Sequence, residues 1–338
     1  MSYPLSTSHF PLPTPHSPLP TPHSPLSTFP LTPSSLLTFG DLCVDLILSG
    51  GDVIPQFGQV EKLVGDYTLE MGGSCSIFAC QFARLGLPAA ILGRVGRDSF
   101  GDLILARLQE AGVETRFVSV DPALKTGLGI ALCRQDDRAI LTYLGSITAV
   151  TPADVTDDLL VCAGHLHHGS YFLHAPLRPH IPSIFARARR LGLTTSLDTN
   201  WDPADAWDDR WDEILPLVDV FLPNEAEALR IAGEHHLPAA LARLHRLGAP
   251  LIVVKRGAQG ALLSQDGQIL EQTVAPALAG GDAIGAGDSF DAGFLAAWLR
   301  RLPLPEALRI ACACGRSVAG KVGGLVGQLT WEQIQNGY

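Results

Sequence analysis

Apolar residues along 36–335 alternate between short continuous runs and stripes that return at three- and four-residue steps. The first run, 37–40, reads as a strand that continues through 43–48. Residues 77–85 carry a helical stripe, which stops at Gly86 with Pro88 just beyond. Residues 89–92 read as a strand, and a second helix follows that ends near Gly112. Later helices are expected over 181–191, 286–302 and 304–320. Between them, 194–200 and 218–222 read as strands, and 251–263 as strand, tight turn, strand. This alternation predicts an α/β domain with a largely parallel sheet.

Segment 113–150 breaks the rhythm. Residues 113–120, 127–134 and 139–144 read as strands joined by turns, with Asp136 and Asp137 at a hairpin tip. Together with 46–70 they are expected to form a small β-structure projecting from the main sheet. Such an appendage suits a lid that closes over a substrate and excludes water.

Residues 1–35 are a different kind of chain. They repeat with period seven, as PLPTPHS at 11–17 and 18–24 with close variants at 4–10 and 25–31. Proline at this density prevents helices and sheet ladders, so a disordered or polyproline-like tail is expected. The tail has no basic region before an apolar core, and no Lys or Arg at all. It therefore reads as neither a secretory signal nor a transit peptide. A ligand for a proline-binding partner and a dispensable tail, or a repeat translated upstream of the true start, both stay open.

Composition narrows the function classes. Of the 338 residues 46% are hydrophobic, and no run approaches the roughly 18 apolar residues of a membrane span, so no membrane partner is expected. The 34 acidic and 24 basic side chains leave a net charge of −10, which argues against a nucleic-acid partner. A local positive pocket for a nucleotide is still allowed. The seven cysteines are odd in number and lack a Cys-x-x-Cys pair. They read as reduced, mostly buried thiols of a cytoplasmic protein rather than as a metal or redox site.

The candidate chemistry gathers around Gly280 to Phe294. Gly285, Ala286 and Gly287 stand directly before Asp288, after which the pattern turns helical. A glycine turn entering a helix presents unpaired N–H groups and the positive end of the helix dipole, a site for phosphate. An acid there would repel phosphate. It makes sense if it must take a proton from a hydroxyl about to be phosphorylated, as in a kinase for a small molecule. A second glycine turn, Gly72-Gly73, opens the helix at 77–85. Asp45 interrupts an apolar strand and reads as facing a ligand hydroxyl, whereas Asp41 reads as a surface turn. Asp198 and Asn200 lie at a strand tip, where ligands gather in open α/β sheets. Asn224 and Glu227 are three apart at a helix start; they suit a helix cap or a Mg²⁺ site, and spacing alone favours the cap. Lys255 and Arg256 precede the Gly257 turn and could meet nucleotide phosphates. His165, His167 and His168 read as polar residues at a strand end near the site rim, not as a zinc cluster.

Two long blocks carry a resemblance. GGSCSIFACQFARLGLPAAILGRVGRDSFGD (72–102) and GGDAIGAGDSFDAGFLAAWL (280–299) resemble the two signature regions of the ribokinase-like, or PfkB, carbohydrate kinases. Thr126-Gly127, DTN (198–200), PNEAEA (223–228) and VVKRGAQGA (253–261) follow the family's order. The similarity spans about 36–335 and implies a three-layer α/β/α sandwich with a small β lid from 46–70 and 113–150. It implies transfer of the γ-phosphoryl of ATP, with Mg²⁺, to a hydroxyl, usually a primary one. Asp288 would be the general base, and the N–H groups of Gly285, Ala286 and Gly287 the anion hole. Asp45, Gly72, Gly73 and Asn200 would bind the sugar, and Lys255 and Gly257 would lie near the nucleotide. Asn224 and Glu227 would serve Mg²⁺, and Asp282 would belong to a loop that shapes a monovalent cation (K⁺) site in many relatives.

The sequence departs from the family pattern at Ile77 and Cys43, where relatives often carry Asn, and at Ala283, where they carry Thr. These changes spare the catalytic loop and alter the sugar side. Another polyol or a sugar acid is thus expected before ribose. Lys255 in place of a frequent Thr resembles the ketodeoxygluconate kinase branch. The leading expectation is a sugar kinase; a nucleoside kinase of the same fold and a non-catalytic sugar or nucleotide sensor are the alternatives. A lid face of this architecture can pair between subunits, so a homodimer is one expectation.

Overall fold

The computed structural model describes residues 35–134, 137–265, 268–273 and 281–337. The tail through residue 34, the hairpin-tip residue Asp136 and Gly280 lie outside the described residues. The chain begins β1 (Leu36–Phe39), β2 (Cys43–Gly51), β3 (Val64–Gly72), α1 (Ser74–Arg84), β4 (Ala89–Gly96) and α2 (Ser99–Glu110). It continues β5 (Val118–Asp121), β6 (Gly127–Arg134), β7 (Asp137–Tyr143), α3 (Asp157–Leu160), β8 (His165–His168) and α4 (Ile181–Arg190). Then come β9 (Thr194–Leu197), α5 (Trp211–Ile214), β10 (Val220–Phe221), α6 (Glu225–Ala232) and α7 (Leu237–Arg246). The last elements are β11 (Leu251–Lys255), β12 (Ala261–Gln265), β13 (Gln268–Thr273), α8 (Ala286–Leu299), α9 (Leu304–Ala319) and α10 (Trp331–Gln335).

Nine strands form one sheet in the order β13-β12-β11-β10-β9-β8-β1-β4-β5. It is parallel from β11 through β5, and the β11-β12-β13 edge is antiparallel. Side chains alternate across it, as a strand requires. Ile252 and Val254 point to one core with α4, α6 and α7, while Leu251 and Val253 point to another with α1, α8 and α9. The result is a three-layer α/β/α arrangement with both sheet faces covered.

The small sheet has the order β3-β2-β6-β7. Two expectations are corrected here. Residues 37–48 are not one strand: β1 lies in the large sheet and β2 in the small one. The break falls at Gly40 to Leu42, where Asp41 turns inward and is 2% exposed, not on a surface turn. Residues 113–120 do not belong to the small sheet either. Their strand, β5, pairs in parallel with β4 at the edge of the large sheet. The small sheet is tied down by Asp98, the N-cap of α2, whose carboxylate accepts from the Thr126 N–H at 2.9 Å and hydroxyl at 2.7 Å.

Helix α8 runs against both α1 and α9, and its residues Ser289 to Ala297 are all buried. A helix buried on all sides is set by its packing rather than by an amphipathic stripe. Phe294 lies in this core with no exposed surface. Phe294→Ala is expected to cost about 3–5 kcal/mol through lost burial and the cavity left behind. Urea unfolding followed by circular dichroism checks this, with a lower midpoint at unchanged slope.

Candidate active site

The parallel strands all end on one side, and the start of α8 reaches that same edge. Gly285 is the N-cap of α8 in the left-handed region at φ 71°. A side chain there would also meet Gly324 Cα at 2.6 Å and Ile77 Cγ2 at 3.0 Å. Glycine is therefore required twice, for the turn and for the close approach. Ser289 N–H donates to Gly285 O at 2.9 Å, and Ala286 N–H makes a long 3.4 Å contact to Ala283 O. Among the described residues no protein acceptor is found for the N–H groups of Gly285, Gly287 and Asp288. The unpaired donors at this helix start thus include that of Asp288 itself.

Asp288 stands half-buried in the first turn of α8. Burial, with the Asp198 carboxylate adding to it, pushes its carboxyl up to about 7, while Lys255 and the Ser74 hydroxyl work the other way. Lys255 is not turned toward the Gly257 loop. Its Nζ lies 2.9 Å from Asp291 Oδ2 and 3.1 Å from Asp198 Oδ2, with 13% of the side chain exposed. Burial alone would lower the lysine, but Asp198, Asp291 and Glu227 together hold it above its usual range. Burial likewise pushes Asp291 well up. Gly257 itself is exposed at φ 53°, and Arg256 pairs with Glu225 at 2.8 Å.

Asn224 caps α6 in a reciprocal box with Glu227. Glu227 N–H donates to Asn224 Oδ1 at 2.9 Å, and Asn224 donates from its backbone and side-chain nitrogens to the Glu227 carboxylate at 2.8 and 2.6 Å. The cap favoured by spacing is present. Glu227 is buried, and burial together with Asp198 pushes it up to about 7. Among the described residues no three His, Cys, Asp or Glu side chains are grouped to hold a metal directly. His165, His167 and His168 are interior residues rather than rim residues. His165 contacts Thr194 Oγ1 at 2.8 Å and Ser196 Oγ at 2.7 Å, and burial holds all three neutral.

On the opposite side, Asp45 of β2 lies between Gly72 of β3 and Gly129 of β6. A Cβ at either glycine would overlap its carboxylate. Burial, then Asp41 and Asp282, push Asp45 up to about 7, opposed by Arg138. No described residue donates a hydrogen bond to it. Asp41 carries the start of α1, accepting from Ser74 N–H at 2.7 Å, Cys75 N–H at 3.0 Å and Ser170 Oγ at 2.9 Å. Gly73 is the N-cap of that helix at φ 88°. Asn200, in the left-handed region at φ 57°, donates to Ser74 Oγ at 3.4 Å and Ser170 Oγ at 3.3 Å. Cys43 is buried between the acids, its thiol pushed up by burial and by Asp45, Asp41 and Asp288. Asp282 acts as a brace. Its carboxylate accepts from Ile284 N–H and Gly323 N–H at 2.9 Å each, and its carbonyl from Arg138 Nη1 at 2.8 Å.

A family model for pfkB carbohydrate kinases matches residues 33–330. The chain belongs to that family. Its members are phosphotransferases, and this kinase shares their ATP-dependent chemistry. It is 30% identical to an ATP-dependent ribose-1-phosphate kinase of Halopiger xanaduensis over 75% of this chain and 81% of the relative. It is 28% identical to a ribokinase of Arabidopsis thaliana over 77% and 69%. Among solved structures, a putative ribokinase II from E. coli superposes with a TM-score of 0.79 at 24% identity, covering 89% of this kinase and 98% of that chain. These likenesses match the α/β layers and the second small sheet described above.

The structure brings Asp288, the α8 donors, Gly72, Gly73 and Asn200 to one edge, with Asp45 on the small sheet beside Cys43. Gly257 lies on the surface turn after β11. Ile77 does not line a polar pocket; it is 2% exposed and wedges behind the loop against Gly285 and Gly324. Asp291 was missed from sequence. It had a signal, one turn beyond Asp288 on the same helical face. Gly72→Ala is expected to displace Asp45 and cost about 1–3 kcal/mol of fit. Steady-state kinetics should show KM for the acceptor raised about tenfold, for 1.4 kcal/mol, with KM for ATP unchanged.

Proposed function

We propose that this kinase phosphorylates a hydroxyl, usually primary, of a small sugar or sugar acid, with Asp288 as general base. The observation that carries the reading is Asp288 itself, a carboxylate poised near neutrality among unpaired N–H groups at the start of α8. Asp45, set between two glycines with no donor among the described residues, accepts hydrogen bonds from acceptor hydroxyls. Asn200, beside Ser74, borders the same pocket. The acceptor oxygen attacks the γ-phosphorus of ATP as Asp288 takes its proton, and the bond to ADP breaks. In a loose transition state that proton leaves late, so a carboxylate is a sufficient base. The N–H groups of Gly285, Gly287 and Asp288 hold the charge on the transferring phosphoryl oxygens. The small sheet closes as a lid over the acceptor, and the exposed Gly257 turn borders the nucleotide.

Mg²⁺ fits the chemistry of the site. The donors are oxygen only, and Asp198, Asp291, Glu227 and Asp288 outnumber the single ammonium of Lys255. Asn224 and Glu227 are committed to each other in the cap, so they would hold the ion through its waters. The bound ion would draw charge from the phosphate oxygens. The Asp282 loop, braced to Gly323 and Arg138, is where K⁺ dependence would be sought.

The partner for the lid is a second copy of the chain. By register, Leu46, Leu48, Leu69, Tyr67, Ile130 and Leu141 share the face opposite Asp45. Tyr67 is 69% exposed and Leu141 59%. A contiguous apolar sheet face of this kind marks an interaction surface. Analytical ultracentrifugation is expected to show a dimer, and Leu141→Asp a monomer.

A coupled ADP-release screen across sugars, sugar acids and nucleosides tests the reaction. Turnover of nucleosides alone would replace the sugar reading. Asp288→Asn should lose at least about a thousandfold in kcat while retaining ATP affinity; near-normal turnover would exclude Asp288 as base. The base works ionised, so kcat/KM should fall about tenfold per pH unit below about 7 and level off above. Asp45 titrates in the same range, so its protonation steepens the limb beyond the tenfold of Asp288 alone, toward about a hundredfold per pH unit, and Asp45→Asn should restore the tenfold slope.

A further inference from the structure

Sequence placed Lys255 among the groups that meet nucleotide phosphates. Its geometry points elsewhere. The side chain leaves the end of β11 and runs beneath the first turn of α8, where a Cβ on Gly287 would stand 3.8 Å from both Cδ and Nζ. Its ammonium ends between Asp198, just beyond β9, and Asp291, on α8. The side chains of those acids are 8% and 1% exposed. Among the described residues Asp291 Oδ1 has no hydrogen-bond partner, so the pairing through Oδ2 to Lys255 is what holds that carboxylate.

We propose that Lys255 is a positioning residue that clamps the tip of β9 to α8 and so fixes Asp288 and its N–H groups over the strand ends. Asp291 lies three residues beyond Asp288, on the same face of the helix. Holding one therefore sets the rotation of the other. No other described cation pairs with Asp198 or Asp291, and a buried carboxylate stripped of its cation is costly. β9 and β11 are already tied through β10 in the sheet, and the clamp adds a charged link from both of them to α8. Misplacement of a reacting group by about 1 Å costs on the order of a hundredfold in rate.

This inference rests on the kinase reading, and two variants separate the two. Lys255→Met removes the ammonium and keeps the stem. Lys255→Met with Asp291→Asn also removes one of the two charges left behind, the more deeply buried one, which lessens the folding penalty while Asp198 stays unpaired. The expected result is a kcat about a hundredfold lower in both variants, with KM for ATP and acceptor within about threefold of wild type. Calorimetric ATP affinity should be equally unchanged. The single variant should melt several degrees below wild type, and the double variant should regain part of that. A rise of tenfold or more in the ATP dissociation constant with kcat preserved would overturn the clamp and return Lys255 to the nucleotide. Unchanged kcat and melting temperature would overturn it as well. If wild type turns over no acceptor, the kinase reading fails instead. ATP affinity and the melting series then decide the clamp: unchanged affinity with the double variant regaining stability supports it, and any other pattern overturns it.

Discussion

One buried ammonium between two buried carboxylates fixes where the site stands. Lys255 joins Asp198 and Asp291 across β9, β11 and α8 in an interior with little water to share the charge. In such surroundings ionic contacts are strong and their loss severe. The start of α8 is consequently held against the strand tips, and Asp288 is held with it. Burial, with the Asp198 carboxylate adding to it, pushes Asp288 and Glu227 up to about 7.

A second set of contacts performs the corresponding task around Asp45. Asp41 caps α1 from within the core, which sets the Gly72-Gly73 turn. Gly72 and Gly129 then leave room for the Asp45 carboxylate between three adjacent strands. The Asp282 brace connects this half to the other through Arg138 on the small sheet and Gly323 beyond α9. Asp45 and the start of α8 are thus supported by different sheets, and motion of one sheet against the other would open and close the space between them.

Much of the fold was legible in the chain. The period-two and period-3.6 patterns located α1, α4, α8 and α9 within a few residues, because each buries one or more continuous apolar faces. The 113–120 strand was misassigned because its short pattern does not say which sheet edge it joins. The break between β1 and β2 was hidden because both flanks are apolar, and only Asp41 turning inward interrupts them. The buried histidines misled for a related reason: a polar side chain shows its type in sequence, whereas the Thr194 and Ser196 hydroxyls that satisfy His165 lie on a neighbouring strand.

The sequence by itself determined the turn that starts α8, since Gly285, Ala286, Gly287 and Asp288 are contiguous and a glycine turn entering a helix has few conformations. It also determined the Asn224–Glu227 cap, whose partners are three residues apart. The tertiary structure alone decided what Lys255, Asp41 and Ile77 do. Their partners are distant in sequence, at Asp198 and Asp291, at Ser170, and at Gly285 and Gly324. Local spacing encodes local hydrogen bonds, but a buried charge takes its role from whichever carboxylates the fold brings to it.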